Sequence, residues 1–134
     1  MKIKLAKSEV IHFVGIGGIG MSGLALVMSR MGFEVQGSDI NINKNIERLK
    51  NNKIKIFIGH EKINISRATI IVISSAVKKN NIEVISAKAR SLPVYKRGDM
   101  LGHITSLTKN IVVVGSHGKT TTTSLVASIL SLSN

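Results

Sequence analysis

The chain has 134 residues, of which 43% are hydrophobic, contains no cysteine and carries a formal net charge of +12. This length allows one ordinary domain plus a remnant, and the hydrophobic fraction excludes a disordered chain. No stretch approaches the roughly 18–20 apolar residues that a membrane helix needs, and disulfides and thiol chemistry are excluded. The basic residues are scattered and aromatic residues are few, which argues against nucleic-acid binding. Because Glu9, His12 and several glycines interrupt the first apolar stretch, we reject a signal peptide and expect a cytoplasmic chain.

Strands and helices are predicted to alternate over the first two thirds of the chain. A β-rich run over residues 10–14 ends at Gly15, and apolar residues then recur at helical spacing up to Gly32. Further strands are predicted at residues 33–37, 54–58, 68–74 and 93–95, and further helices at residues 43–52 and 81–90. This alternation predicts an α/β fold, a Rossmann-like doubly wound parallel sheet.

The pattern changes after Lys96. Residues 97–108 suggest one connecting helix, and residues 111–114 read as a new buried strand. We therefore predict a Rossmann-like domain over residues 1–109. Residues 110–134 are predicted to be the first strand, loop and helix of a second, truncated domain, since about 25 residues are fewer than the roughly 40 that fold alone.

The first glycine-rich loop fits the pattern of a dinucleotide-binding turn. Gly15, Gly17 and Gly20 follow a predicted strand and open a predicted helix, and Asp39 lies near the end of the second strand, where an acidic residue usually binds a ribose hydroxyl. The first glycine would permit the tight turn, the second the close approach of a pyrophosphate, and the third helix–strand packing. A nucleotide diphosphate is expected, with NAD as the default ligand and a purely structural glycine turn as the alternative.

The second loop, Gly115 to Thr120, has the chemistry of a phosphate-binding P-loop. Its glycines would expose backbone N–H groups, Lys119 could reach the β- and γ-phosphates of ATP, and the Thr120 hydroxyl could bind Mg²⁺. Only two residues separate Gly115 from Gly118, whereas the standard pattern has four before its Gly-Lys pair. The spacing alone therefore leaves the type of P-loop open.

Together the two loops resemble those of the Mur ligases of bacterial cell-wall synthesis, whose ATP loop has this shortened form. Within that family the chain is similar to the branch that joins L-alanine to UDP-N-acetylmuramate, and the resemblance covers nearly all of it. The motifs that carry it are residues 12–25, 37–39, 74–76, 97–101 and 115–123.

The resemblance implies that the first domain holds the UDP part of UDP-N-acetylmuramate, with no nicotinamide. By motif position, the implied UDP-sugar-binding residues are Gly15, Gly17, Gly18, Ile19, Gly20, Met21, Ser22, Asp39, His60, Ser74, Ser75 and Ala76.

The resemblance also implies an ATP-dependent ligase reaction with Mg²⁺. ATP would phosphorylate the lactyl carboxylate of UDP-N-acetylmuramate, and the amine of L-alanine would attack the resulting acyl phosphate. Lys119 and Thr120 would be catalytic, with Thr120 also a partial Mg²⁺ site. The implied ATP-binding residues are Gly115, Ser116, His117, Gly118, Lys119, Thr120 and Thr121. Further domains of the enzyme would be needed, so we expect this chain alone to be inactive.

Two alternatives remain open from the sequence: an NAD-binding domain of a dehydrogenase or regulatory protein, and a non-enzymatic nucleotide-binding module. The four histidines lack the spacing of metal ligands. Glu47, Glu61 and Glu83 are expected on solvated surfaces, as most glutamates are.

Overall fold

The computed structural model describes residues 3–114, and the side chains of residues 3–107. Five parallel strands form one sheet in the order β3-β2-β1-β4-β5, which confirms the predicted α/β, Rossmann-like fold. The elements in chain order are β1 Val10–Val14, α1 Ile19–Arg30, β2 Glu34–Asp39, α2 Lys44–Asn51, β3 Lys55–Ile58, a short 3₁₀-helix Lys62–Ile65, β4 Ile70–Ile73, α3 Ile82–Ala89, β5 Val94–Lys96 and α4 Arg97–Val114.

Strand β1 is the centre of the sheet and is buried along its whole length. It pairs with β2 on one side and with β4 on the other, so all of its side chains face packed layers. One layer contains Phe13 with Leu24 and Met28 of α1, and the opposite layer contains Val14 and Ile71. The apolar residues that recur at helical spacing in α1 are therefore core residues.

Side-chain caps set the starting points of α2 and α3. The Asn43 side chain accepts the backbone N–H of Ile46 at 2.9 Å, and the Asn81 side chain accepts that of Glu83 at 2.9 Å. Each cap satisfies one of the donors that the first turn of a helix leaves unpaired. Asn81 thereby places Glu83 in the first turn of α3.

Helix α4 corrects one prediction. Residues 111–114 were expected to form a strand, but α4 continues through them to Val114. The physical reason is that a helix satisfies its own backbone hydrogen bonds, whereas a strand needs a neighbour, and the described sheet pairs only β1 to β5. No helix within residues 3–114, α4 included, is long and apolar enough to cross a membrane.

Candidate nucleotide-binding site

A cavity of about 400 Å³ opens at the carboxyl ends of β1, β2 and β4. Within the sheet, β2 and β3 lie on one side of β1, and the chain then returns to place β4 on the other side of β1, so the strand order reverses between β1 and β4. Ligands of open α/β sheets bind at such a reversal. The cavity is lined by Gly15, Gly18, Asp39, Ile40, His60, Ser74, Ala76, Val77, Lys78, Asn80 and Asn81.

The first glycine of the loop makes the turn out of β1. Gly15 has φ +82°, a conformation that side chains other than glycine rarely adopt. The backbone N–H groups of Gly15 and Ile16 both donate to the carbonyl oxygen of Ser38, at 2.9 and 3.0 Å. The turn is thus bound to the end of β2, and Gly15 makes the tight turn that was predicted for it.

The peptide groups on both sides of Gly17 are held by the segment that follows β2. The N–H of Gly17 donates to Asp39 Oδ2 at 2.8 Å, and its carbonyl oxygen accepts the side-chain amides of Asn43 at 3.2 Å and Asn45 at 2.9 Å. A Cβ at Gly17 would lie 2.8 Å from Asp39 Oδ2 and 3.1 Å from Ile46 Cδ1. Close packing within the protein therefore favours a glycine here, independently of any ligand.

The amino end of α1 is open beside this loop. Gly18 occupies the N-cap position, and no side chain among the described residues caps the helix. The first hydrogen bond of α1 runs from the N–H of Ser22 to the carbonyl oxygen of Gly18, at 2.8 Å. The backbone N–H groups of residues 19–21 therefore have no acceptor within the helix. The partial positive charge of these groups makes the start of α1 suitable for binding an anion.

The structure brings together half of the residues predicted to bind the UDP-sugar. Those that line the cavity are Gly15, Gly18, Asp39, His60, Ser74 and Ala76. The side chains of Met21 and Ser22 are buried in the protein, Ile19 is 83% exposed, and Ser75 is exposed outside the cavity lining. Any contribution of Met21 to a ligand site would therefore come from its backbone.

The remaining glycine of the loop, Gly20, packs against the side chain of Arg97, which is not among the predicted site residues. A Cβ at Gly20 would lie 3.1 Å from a terminal nitrogen of Arg97, the first residue of α4. The third glycine of the motif was expected to let α1 pack closely on a strand. The close neighbour of Gly20 is instead the arginine that directly follows β5. This contact places a guanidinium group next to the start of α1.

Five lining residues were missed in the sequence. Ile40 directly follows β2, and Val77, Lys78, Asn80 and Asn81 lie between β4 and α3. Their position just beyond the carboxyl ends of parallel strands is the signal that could have found them, because those ends border the binding site in open α/β sheets.

Glu83 is fully buried, so its predicted place on a solvated surface was wrong, whereas Glu47 and Glu61 are exposed as predicted. The reason is a set of donors from several elements. Glu83 Oε1 accepts His12 Nε2 and Ser38 Oγ, each at 2.6 Å. Its Oε2 accepts Asn64 Nδ2 at 2.7 Å and the backbone N–H of Glu61 at 3.1 Å.

These hydrogen bonds keep the buried carboxyl group ionised. Burial alone acts to raise the pKa of Glu83, but the hydrogen bonds from His12, Ser38 and Asn64 favour the charged form. The net effect lowers the pKa of Glu83 from 4.5 to about 2. Among the described residues, no buried side-chain nitrogen or oxygen lacks a partner.

The second loop, Gly115 to Thr120, lies outside the described residues, as does Thr121. The predicted ATP-binding and Mg²⁺-binding roles of these residues therefore stay predictions. The same holds for the placement of the domain boundary near residue 109.

Comparison with known proteins decides the family. Residues 10–109 match the sequence model described as Mur ligase family, catalytic domain. The chain belongs to the Mur ligase family. It is 74% identical over 131 residues to the UDP-N-acetylmuramate–L-alanine ligase of Pelagibacter ubique, covering 98% of this chain and 28% of that protein.

Solved structures agree with this assignment. The UDP-N-acetylmuramate–alanine ligase of Thermotoga maritima superposes with a TM-score of 0.66 at 34% identity, covering 75% of this chain and 23% of that one. A UDP-N-acetylmuramate:L-alanyl-γ-D-glutamyl-meso-diaminopimelate ligase from Neisseria meningitides gives a TM-score of 0.64 at 26% identity, with 78% and 31% covered. The chain thus spans about a quarter to a third of the length of these relatives.

Proposed function

We propose that this chain is the UDP-N-acetylmuramate-binding part of an ATP-dependent ligase that joins L-alanine to that substrate in peptidoglycan synthesis. Its relative from Pelagibacter ubique, at 74% identity, carries the name of that ligase. The observation that carries the proposal in the structure is the cavity at the strand-order reversal, beside the uncapped start of α1. A diphosphate suits that combination of N–H donors and partial positive charge.

The chemistry of the cavity wall supports a UDP-sugar with its diphosphate at α1. Lys78 is a cationic side chain on the wall, and Gly15 and Gly18 allow the backbone to come close to a ligand. Ile40 offers apolar surface, while His60 and Ser74 offer polar groups for the nucleoside or sugar. These residues would orient the substrate and would not take part in bond formation.

Most of the acceptor capacity of Asp39 is used within the protein, so the ribose contact of a typical NAD site is not expected here. In a typical NAD site the acidic residue after β2 binds ribose hydroxyls. Here Asp39 Oδ2 already accepts the N–H of Gly17, and Oδ1 accepts those of Ile40 at 2.8 Å and Asn41 at 3.3 Å. With about four acceptor positions on a carboxylate, Asp39 has little capacity left for a ribose diol.

The proposed use of ATP is supported by the sequence of residues 115–121 and by the similarity to proteins that are named as ligases. Lys119 would hold the γ-phosphate of ATP and Thr120 would bind Mg²⁺. Bound ATP, with Mg²⁺ to neutralise its phosphate charge, would supply the phosphoryl group that activates the carboxylate for attack by the amine of L-alanine. The chemical class of these residues fits that role, since both glycines, the lysine and the threonine of a P-loop are present.

Titration calorimetry with UDP-N-acetylmuramate and with NADH tests the proposal. We expect saturable binding of the UDP-sugar and none, or much weaker binding, of NADH. Gly15→Val should abolish UDP-sugar binding because its φ of +82° is unfavourable for valine. Gly98→Ala is the control, because a Cβ there meets no atom within 4 Å. Preference for NADH would overturn the assignment.

A further inference from the structure

A chain of hydrogen bonds leads from the buried carboxylate of Glu83 to the wall of the cavity. Ser38 Oγ lies 2.6 Å from Glu83 Oε1 and 2.9 Å from His60 Nδ1. Ser38 and Glu83 are fully buried, whereas the His60 side chain is 19% exposed and lines the cavity. The buried network therefore ends on a residue that a ligand can reach.

The donors and acceptors of this chain can be assigned from its geometry. The ionised carboxylate of Glu83 can only accept hydrogen bonds, so the single hydroxyl hydrogen of Ser38 is donated to Glu83. Ser38 Oγ then has only lone pairs to offer to His60. Nδ1 of His60 must consequently carry the hydrogen of that bond and donate it to Ser38.

The second ring nitrogen of His60 is left for a ligand. In the neutral ring, a hydrogen on Nδ1 makes Nε2 an acceptor. No partner of Nε2 occurs among the described residues, and no buried side-chain nitrogen within them lacks a partner, so Nε2 is open to solvent. The other tautomer would require the Ser38 hydrogen for His60 and would leave Glu83 one donor short.

We propose that Glu83 and Ser38 are positioning residues that fix His60 in its Nδ1–H tautomer, so that Nε2 accepts a hydrogen bond from a hydroxyl or N–H group of the bound nucleotide sugar. The ligand part of this inference rests on the proposed function. The positioning part rests only on the contacts of Glu83, Ser38 and His60. His60 would thereby recognise the nucleoside or sugar, while the diphosphate is bound at the start of α1.

Nitrogen NMR of the chain labelled at histidine tests the positioning part without a ligand. At a pH where the ring is neutral, we expect a pyrrole-type Nδ1 and a pyridine-type Nε2 for His60. Ser38→Ala should convert these signals to those of a tautomer mixture. Ser86→Ala is the matched control, because Ser86 is a buried serine on α3 that is not one of the donors to Glu83. A pyridine-type Nδ1 in the unmodified chain would overturn the positioning role. Because Glu83 Oε2 also lies 3.5 Å from His60 Nδ1, unchanged spectra in Ser38→Ala would overturn the role of Ser38, and unchanged spectra in Glu83→Gln would overturn that of Glu83.

Titration with UDP and with inorganic pyrophosphate tests the ligand part. UDP has ribose hydroxyls and a uracil N–H that can donate to Nε2, whereas pyrophosphate has neither a ribose nor a base. Ser38→Ala should weaken UDP binding roughly two- to tenfold, the range expected for one hydrogen bond, and leave pyrophosphate binding unchanged. Equal UDP affinity in Ser38→Ala and the unmodified chain would contradict recognition through Nε2. Failure of the unmodified chain to bind UDP would overturn the proposed function and this ligand assignment, while the histidine spectra would still decide the positioning role.

Discussion

Asp39 accepts the backbone N–H of Gly17 at 2.8 Å, so the acidic residue at the end of β2 holds the first glycine-rich loop in place. Two further backbone groups, the N–H of Ile40 and of Asn41, donate to its other oxygen. The sequence pattern assigned Asp39 to the ligand and Gly17 to the approach of a pyrophosphate. The structure shows that both residues also determine the shape of the loop before any ligand binds.

Replacement of Asp39 should therefore destabilise the ligand-free chain. Asp39→Ala leaves the buried N–H of Gly17 without an acceptor, and we expect a loss of about 2 kcal/mol in the free energy of unfolding, measured with urea. Asp39→Asn should fall between Ala and the unmodified chain. Glu47→Ala, at an exposed acidic residue of α2, is the control. Unchanged stability of Asp39→Ala would mean that Asp39 serves the ligand alone.

A methyl group at Gly17 should be costly, and one at Gly102 should not. Gly17→Ala would place a Cβ 2.8 Å from Asp39 Oδ2 and 3.1 Å from Ile46 Cδ1, and we expect a destabilisation of about 1–3 kcal/mol. Gly102 lies within α4, and a Cβ there meets nothing within 4 Å. Gly102→Ala should be neutral or stabilise by up to about 1 kcal/mol, because alanine favours helix. Similar unfolding midpoints for the two variants would count against the packing at Gly17.

The burial of Glu83 predicts a specific loss of stability in acid. The pKa of Glu83 is lowered from 4.5 to about 2 in the folded state, so its contribution is complete above pH 4.5 and is lost as the pH falls towards 2. The difference corresponds to about 3 kcal/mol. Urea unfolding at a series of pH values should show this loss in the unmodified chain.

Glutamine variants separate the contribution of Glu83 from that of the other carboxyl groups. Glu83→Gln should be less stable at neutral pH and should lose less stability between pH 4.5 and 2 than the unmodified chain. Glu47→Gln, which removes an exposed carboxyl group, should keep the acid dependence of the unmodified chain. The same acid dependence in Glu83→Gln would show that Glu83 does not cause it.

Two neighbouring lysines should differ in their effect on UDP binding. Lys78 lines the cavity and Lys79 does not, although both are exposed. Lys78→Ala should weaken UDP binding roughly two- to fivefold, as expected for an exposed ion pair, and the effect should shrink as salt is raised. Lys79→Ala should leave the affinity nearly unchanged. An equal effect of both substitutions would indicate general attraction by a basic surface in place of a specific contact.

Much of the fold could be predicted because it depends on local patterns. The β-rich run of residues 10–14 and the helical spacing after it predict β1 and α1, and Gly15 predicts the turn between them. The strand predicted at residues 111–114 failed because a run of Ile and Val suits either a strand or a buried helix. Which of the two forms depends on neighbouring strands, and these are a tertiary property.

The sequence by itself determined the alternation of strands and helices and the glycine loop, and its motifs predicted the family that the comparisons then showed. Only the tertiary structure decided the surroundings of individual side chains. Glu83 resembles any other glutamate of an amphipathic helix in the sequence, yet its carboxylate is the meeting point of donors from β1, β2 and the residues after β3. Those donors are 19 to 71 residues away along the chain. Each of these donors stabilises the buried charge of Glu83 in the folded chain. Because they are distant in the sequence, no local pattern around Glu83 predicts its burial.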